Sequence, residues 1–278
     1  MKQIRVQIHT VGCRANQSDS AVLESLLHPD RVVVGGDERP DVVVVNTCCV
    51  TGGAERDCRR LVRRFLEDDG VTVVLTGCAV SAIEGFGRAF GSRVVSVGGG
   101  DRSPSVVADW LNDFAKGQVC ETVHSPAGSC FDHRPDAPVK TLPGRTRAML
   151  KIQNGCRHHC TYCIVPRARG PEESMPQDIL RRRVSAFREA GVRELVLTGI
   201  QLGAWGIDLP GRPSLGDAVR TAAAAFAPGR IRLSSVEPWS VDDPLVRAVA
   251  DTPNVCPHFH IPRQSGDDLS HSHDHSPD

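Results

Sequence analysis

The sequence predicts an α/β protein built from two successive parallel-sheet units. Three observations carry this. Strand-like and helix-like segments alternate in both halves, the pattern of parallel sheets with helical crossovers. A Pro-rich stretch without periodicity, residues 118–147, separates the halves. The length, 278 residues, suits about two domains. Hydrophobic residues at 40% and charged residues at 24% exclude a collagen, a mostly disordered chain and a membrane bundle. No window approaches the roughly 18 apolar residues of a membrane span. Residues 1–10 alternate polar and apolar, unlike a signal peptide. A cytoplasmic location without a membrane partner is therefore expected.

In the first half, residues 4–9 alternate as a strand. Residues 21–27 place Val22, Leu23, Leu26 and Leu27 at helical spacing. Residues 41–45 are a β-branched run typical of a buried parallel strand. Residues 55–66 set Leu61, Val62, Phe65 and Leu66 on one helix face, with Arg56, Arg59, Arg60, Arg63 and Arg64 mostly opposite. Strands at 71–75 and 93–97 and a helix at 105–114 complete a four-stranded unit. In the second half the expected strands are 148–153, 194–197, 230–236 and 258–261. The expected helices are 177–190, with Arg181–Arg183 partly outward, 215–226 with Ser214 as N-cap, and 243–249.

Eleven cysteines in a chain without an export signal point to metal ligands or catalysts more than to disulfides. Cys156, Cys160 and Cys163 form C-x3-C-x2-C directly after an expected strand. Three thiolates suit three irons of a [4Fe–4S] cluster and leave one iron open to an amine and a carboxylate. A zinc site with His158 or His159 as fourth ligand is the alternative. Cys13, Cys48 and Cys78 each follow a different strand of the first half. Carboxyl ends of parallel strands share one edge, so these three should converge on a second cluster. The plainer reading is three core cysteines. Cys48 and Cys49 are adjacent, and alternation lets only one of them ligate. Cys58, Cys120, Cys130 and Cys256 match no ligand motif.

The text around the triad, Lys151-Ile-Gln-Asn-Gly-Cys156 and Cys160-Thr-Tyr-Cys163-Ile-Val-Pro-Arg-Ala-Arg-Gly170, resembles the radical S-adenosylmethionine (SAM) methylthiotransferases. The resemblance implies an N-terminal open parallel-sheet methylthiotransferase domain, residues 1–117, and a linker, 118–147. A partial, incomplete radical-SAM β/α barrel over 148–266 and a disordered His-rich tail over 267–278 would follow. It implies two [4Fe–4S] clusters, one on Cys13, Cys48 and Cys78 and one on Cys156, Cys160 and Cys163. The Asn-Thr-Cys pattern selects Cys48 over Cys49. The second cluster would chelate SAM and cleave it to methionine and a 5′-deoxyadenosyl radical. SAM contacts are implied at the barrel-strand ends, at Thr198 and Gly199, at Ser234 and Glu237, and at Gln264. No residue is implied as a proton-transfer catalyst.

Within the family, Asn46-Thr-Cys-Cys-Val-Thr51, Ala54-Glu55, the arginine helix and Ala168-Arg-Gly-Pro171 are most similar to the type that modifies C2 of N6-threonylcarbamoyladenosine 37 of tRNA. The isopentenyladenosine-tRNA and ribosomal-protein types are the alternatives, with an inactive truncated iron–sulfur remnant beside them. The implied partners are a tRNA anticodon loop with adenosine 37 exposed, an electron donor such as flavodoxin or ferredoxin, and an unidentified sulfur donor. Net charge is zero and aromatics are 4%, so an RNA grip must come from local basic surfaces such as the arginine helix. A solvated helix face is the plainer account of those arginines. The resemblance covers residues 2–266, whereas family members continue into a six-stranded partial barrel and an RNA-binding β-barrel. A C-terminally truncated product is thus expected. Arg263 departs from the family's usual Leu or Ile. His271, His273 and His275 read as a polar tail or a divalent-metal site.

Overall fold

The computed structural model describes residues 3–36, 38–97, 104–118, 131 and 147–263, and the chain divides into two compact units, residues 1–132 and 133–278. Cys120, Cys130, Gln264, the His-rich tail and nearly all of the expected linker lie outside the described residues. Among the described residues, no helix is long and apolar enough to cross a membrane.

The first unit is organised by its most apolar strand. Val42–Thr47 (β3) reads Val-Val-Val-Val-Asn-Thr, and all six residues are buried, as a strand covered on both faces must be. Around it lie Ile4–Thr10 (β1), Val32–Val34 (β2), Thr72–Gly77 (β4) and Val94–Ser96 (β5). The sheet is fully parallel, in the order β2-β1-β3-β4-β5. Connections on either side of β1 and β3 run in opposite directions. Right-handed crossovers therefore put their helices on opposite faces and open a crevice at the β1/β3 carboxyl ends.

Arg14–Ser25 (α1) packs on Pro104–Phe114 (α4), while Gly52–Leu66 (α2) and Cys78–Ala82 (α3) pack on β3 and β4. Two expectations need correction here. The sheet has five strands, because the three-residue edge strand β2 is too short for an alternation signal and runs straight into Gly35 and Gly36, both at positive φ. The first helix begins at Arg14 rather than at 21. Its early buried residues are Ala15, Asn16, Ser18 and Ser20, so its inward face is polar and escapes an apolar-period reading.

In the second unit, Arg147–Asn154 (β6), Glu194–Gly199 (β8) and Arg230–Leu233 (β9) pair in parallel as a curled half-barrel sheet, and Glu173–Ser174 (β7) adds antiparallel to β6. Ala148, Leu150 and Ile152 alternate with Lys151 and Gln153, so a buried polar row stands beside the apolar core. Val165–Arg169 (α5) follows the cysteine loop, and Gln177–Glu189 (α6), Leu215–Phe226 (α7) and Asp243–Ala250 (α8) pack side by side.

The expected strand 230–236 ends at Leu233, and 258–261 forms no ladder. Single bridges join Ile231 to Val255 and Ser235 to His260 instead. Pro257 and Pro262 flank that segment and lack the N–H a ladder needs. Arg183, expected partly outward, is buried at 4% exposure. Ser214 caps α7 as expected, and reciprocal bonds with Asp217 complete a capping box.

Candidate metal centres

Register builds the first centre. Thr10 stands beside Asn46, Asn46 beside Thr76, and Thr47 beside Gly77. Cys13 is the N-cap of α1, Cys48 follows β3 by one residue, and Cys78 is the first residue of α3. All three cysteines therefore stand at the carboxyl edge of neighbouring strands, Cys13 and Cys48 beside the crevice between β1 and β3 and Cys78 after β4. Two glycines let their loops touch. A Cβ on Gly12, at φ +108°, would lie 2.6 Å from Cys48 Cβ and 2.7 Å from its Sγ. A Cβ on Gly77, at φ +91°, would lie 2.5 Å from both Asn46 Oδ1 and the Thr47 carbonyl.

Polar side chains tie the three loops together. Asn16 Nδ2 donates to the Val11 carbonyl (2.8 Å) and the Thr47 carbonyl (3.0 Å). Asn46 Nδ2 donates to the Asn16 carbonyl and to Ser20 Oγ, both at 3.0 Å. Thr47 Oγ1 donates to the Thr76 carbonyl (2.6 Å) and accepts from Ala79 N–H (3.2 Å). Sequence reading did not single out Asn16; its signal was a position one helical turn after Cys13.

Cys13 is exposed, whereas Cys48 and Cys78 are 3% exposed. Cys49 is also buried, and burial, with Cys78 and Cys48 nearby, pushes its thiol up to about 12. Cys58, which matched no motif, bonds the backbone of Cys48 at both its N–H (3.3 Å) and its C=O (3.5 Å). Of the α2 arginines, Arg59 pairs with Glu55 and lies over the Phe86 ring at 4.6 Å. Arg60 pairs with Asp57, and Arg56, Arg63 and Arg64 are exposed.

The second centre is a loop pinned at both ends. Gly155, at φ +76°, passes so close to the Pro171 carbonyl that a Cβ would sit 1.8 Å from its oxygen. Cys156 N–H donates to the Gly170 carbonyl at 2.9 Å. The buried Arg169 guanidinium donates to Asn154 Oδ1 at 3.0 Å, and Arg157 pairs with Glu172 at 2.7 Å. Cys163 N–H closes a turn on the Cys160 carbonyl at 2.9 Å. All three cysteines are half-buried.

Gln153 couples this loop to the next strand end. Its Oε1 accepts from Ile200 N–H (3.0 Å) and Gln201 N–H (2.8 Å), and its Nε2 donates to the Asn154 and Gly155 carbonyls (2.9 Å each). Gln201 Oε1 then accepts from Cys156 Sγ at 3.3 Å, and its Nε2 lies 2.5 Å from His158 Nε2. The His158 ring stands edge-on to Trp239, with centroids 5.5 Å apart. Burial pushes the Cys156 thiol up to about 11, with Glu172, Cys163 and Glu237 adding to it. Sequence reading gave no individual role to Gln153, which lies in the segment leading to Cys156, or to Gln201, and did not single out Trp239.

Thr198 and Ser234 are buried at the carboxyl ends of β8 and β9, and Gly199 packs against Gln153. Glu237 Oε2 is buried with no hydrogen-bond partner among the described residues, and burial raises its carboxyl. An orphaned acceptor near Cys156 fits a ligand that brings its own donors, as the SAM amine would. Ser235 Oγ and His260 Nδ1 bond at 2.8 Å beside this edge. Among the described residues, no three His, Cys, Asp or Glu side chains are already gathered as a metal cage. The donor chemistry nevertheless fits. The first edge offers three thiols on adjoining loops and the second three thiols on one loop, the number an iron–sulfur cluster with one open iron takes.

Residues 5–86 match the model of an uncharacterized protein family, UPF0004, and residues 150–275 match the radical SAM superfamily. The threonylcarbamoyladenosine tRNA methylthiotransferase MtaB of Rickettsia prowazekii is 31% identical over 270 residues, 96% of this chain and 60% of that protein. The tRNA-2-methylthio-N(6)-dimethylallyladenosine synthase of Thermus thermophilus is 33% identical over 271 residues, 95% of this chain and 56% of that protein. The MtaB protein of Thermotoga maritima is 31% identical over 96% of this chain and 59% of its own length. The chain thus spans less than two thirds of the length of the curated relatives it matches. Among solved structures, the radical SAM methyltransferase TsrM of Kitasatospora setae shares the fold. Its TM-score is 0.59 at 13% identity, over 90% of this chain and 59% of that one.

Proposed function

This chain belongs to the radical SAM methylthiotransferase family, and we propose that it inserts a methylthio group at C2 of N6-threonylcarbamoyladenosine 37 in tRNA. The observation that carries the reading is the pairing of two three-thiol edges, one on each sheet. Cys156, Cys160 and Cys163 would hold one [4Fe–4S] cluster, and Cys13, Cys48 and Cys78 the other. The clusters and SAM supply the radical and the sulfur-transfer chemistry when bound. The protein's own residues position them. Gln153 and Gln201 fix the strand ends around Cys156. Glu237, Ser234, Thr198 and Gly199 shape the pocket for SAM, with Gln264 assigned there by resemblance alone. Arg56, Arg63 and Arg64 offer RNA phosphates an exposed basic row along α2. A target adenine must be unstacked for C2 to be reached, which suits an anticodon loop. The reaction would run in the cytoplasm with an electron donor of the flavodoxin or ferredoxin class.

Relatives of the two tRNA types are 31% and 33% identical to this chain, so substrate choice rests on the motif likeness. The test is a reconstituted reaction with tRNA carrying either threonylcarbamoyladenosine or isopentenyladenosine at position 37, read by nucleoside mass spectrometry. Methylthio product on the first tRNA only is expected. Product on the second only would move the chain to the other type, and product on neither would overturn the activity.

A further inference from the structure

Cys48 stands one residue beyond the β3–β4 ladder, at 3% exposure. Its peptide groups are therefore buried where the sheet no longer supplies the regular pattern of partners, and buried N–H and C=O groups need partners. One side chain reaches both. Cys58 Sγ accepts from Cys48 N–H at 3.3 Å and donates to Cys48 C=O at 3.5 Å. A thiol can do this because it is both a weak donor and a weak acceptor.

Cys58 is itself held firmly. It is fully buried on the second turn of α2, a helix capped by Thr51 Oγ1 and anchored by the buried Val62. On its side-chain atoms Cys48 meets Gly12, so main chain and thiol are constrained from separate elements. We propose that Cys58 is a positioning residue for the cluster held by Cys13, Cys48 and Cys78, acting by fixing the Cys48 peptide and with it the direction of that ligand. This rests on the reading of Cys48 as a cluster ligand. Cys58 is not a fourth ligand, since its sulfur is engaged by the main chain.

The test uses the full chain with Cys156, Cys160 and Cys163 replaced by Ala, so that one cluster site remains. Cys58→Ala, Cys58→Ser and Cys48→Ala are compared after anaerobic reconstitution. The readouts are bound iron, the EPR spectrum of the reduced protein, the rate of iron release to a chelator, and thermal melting before reconstitution. Cys58→Ala is expected to melt below the parent, because it leaves two buried peptide groups of Cys48 unmet, and still to bind iron. Its release should be about 10- to 100-fold faster, the usual effect of losing a group that orients a ligand. Cys58→Ser keeps a donor and an acceptor and is expected to fall between the two. If Cys58→Ala does not fold, Cys58→Ser carries the comparison, and faster release than the parent is again expected. Release at the parent's rate with the parent's spectrum overturns the proposal. So does loss of iron in both Cys58 variants to the level of Cys48→Ala, which would make Cys58 a ligand. Parent-level iron in Cys48→Ala would instead sink the ligand assignment itself, separately from the role of Cys58.

Discussion

At Gly12 the backbone turns through φ +108° against the side chain of Cys48, with no room for a Cβ. Gly12→Ala is therefore expected to cost about 1–3 kcal/mol through backbone strain, and to lower the iron held near Cys48; a lower urea midpoint and a lower iron content check both. Gln153 is the comparable point in the second unit. Gln153→Leu removes the acceptor for two backbone N–H groups, and each buried group left unmet costs about 1–3 kcal/mol. Iron bound by Cys156, Cys160 and Cys163 should fall in that variant while the first centre is unchanged. His9 gives a pH effect. Burial, then the nearby Arg64, holds its ring below the usual value of 6.5. The unfolded chain thus takes up that proton more readily than the folded one, so His9 lowers stability as pH falls below 6.5 and not above it. In His9→Phe the loss of melting temperature between neutral and mildly acidic pH should be smaller than in the parent. The strand-end positions of Cys13, Cys48 and Cys78 and the loop position of Cys156, Cys160 and Cys163 were legible because spacing along the chain is a sequence property. The bonds of Asn16, Gln153 and Gln201 join residues that are near only after folding, so no local pattern announced them.

At the scale of elements, capping was the most legible feature. Ser214 and Asp217 form reciprocal bonds at the start of α7, and the Ser214 hydroxyl is the main cause that holds the Asp217 carboxyl below its usual range. Ser214→Ala should cost about 1 kcal/mol near neutral pH. The depressed carboxyl means this contribution is present above the ordinary value of 3.8 and is lost as pH falls through the lower folded value. The gap between parent and variant should therefore narrow on strong acidification, which denaturant midpoints across pH would show. Strands such as β3 and β8 announced themselves through apolar runs. The edge strand β2 did not, because three residues carry no period. Residues 258–261 alternate like a strand, yet Pro257 and Pro262 leave them only an isolated bridge at His260. The polar inward face of α1 hid the start of that helix, and the same polar face supplies the bonds around Cys13 and Cys48.

At the scale of the molecule, each unit brings strand ends and cysteines to one edge, and the topology explains why. Strand order reverses between β1 and β3, so Cys13 and Cys48 flank the crevice where open α/β sheets bind ligands. The alternation of strands and helices made the parallel ladders of both sheets readable in advance, whereas the antiparallel β7, two residues long, carried no period. The strand order itself was not readable, since it depends on which edge each crossover reaches. On the proposed reading each unit holds its own cluster. The most direct measurement is iron and acid-labile sulfide per chain after anaerobic reconstitution, for the parent and for Cys13→Ala and Cys156→Ala. About eight irons per chain in the parent, falling to about four in either variant, is the expected result for two [4Fe–4S] clusters. About four irons, lost with Cys156→Ala and untouched by Cys13→Ala, would contradict it.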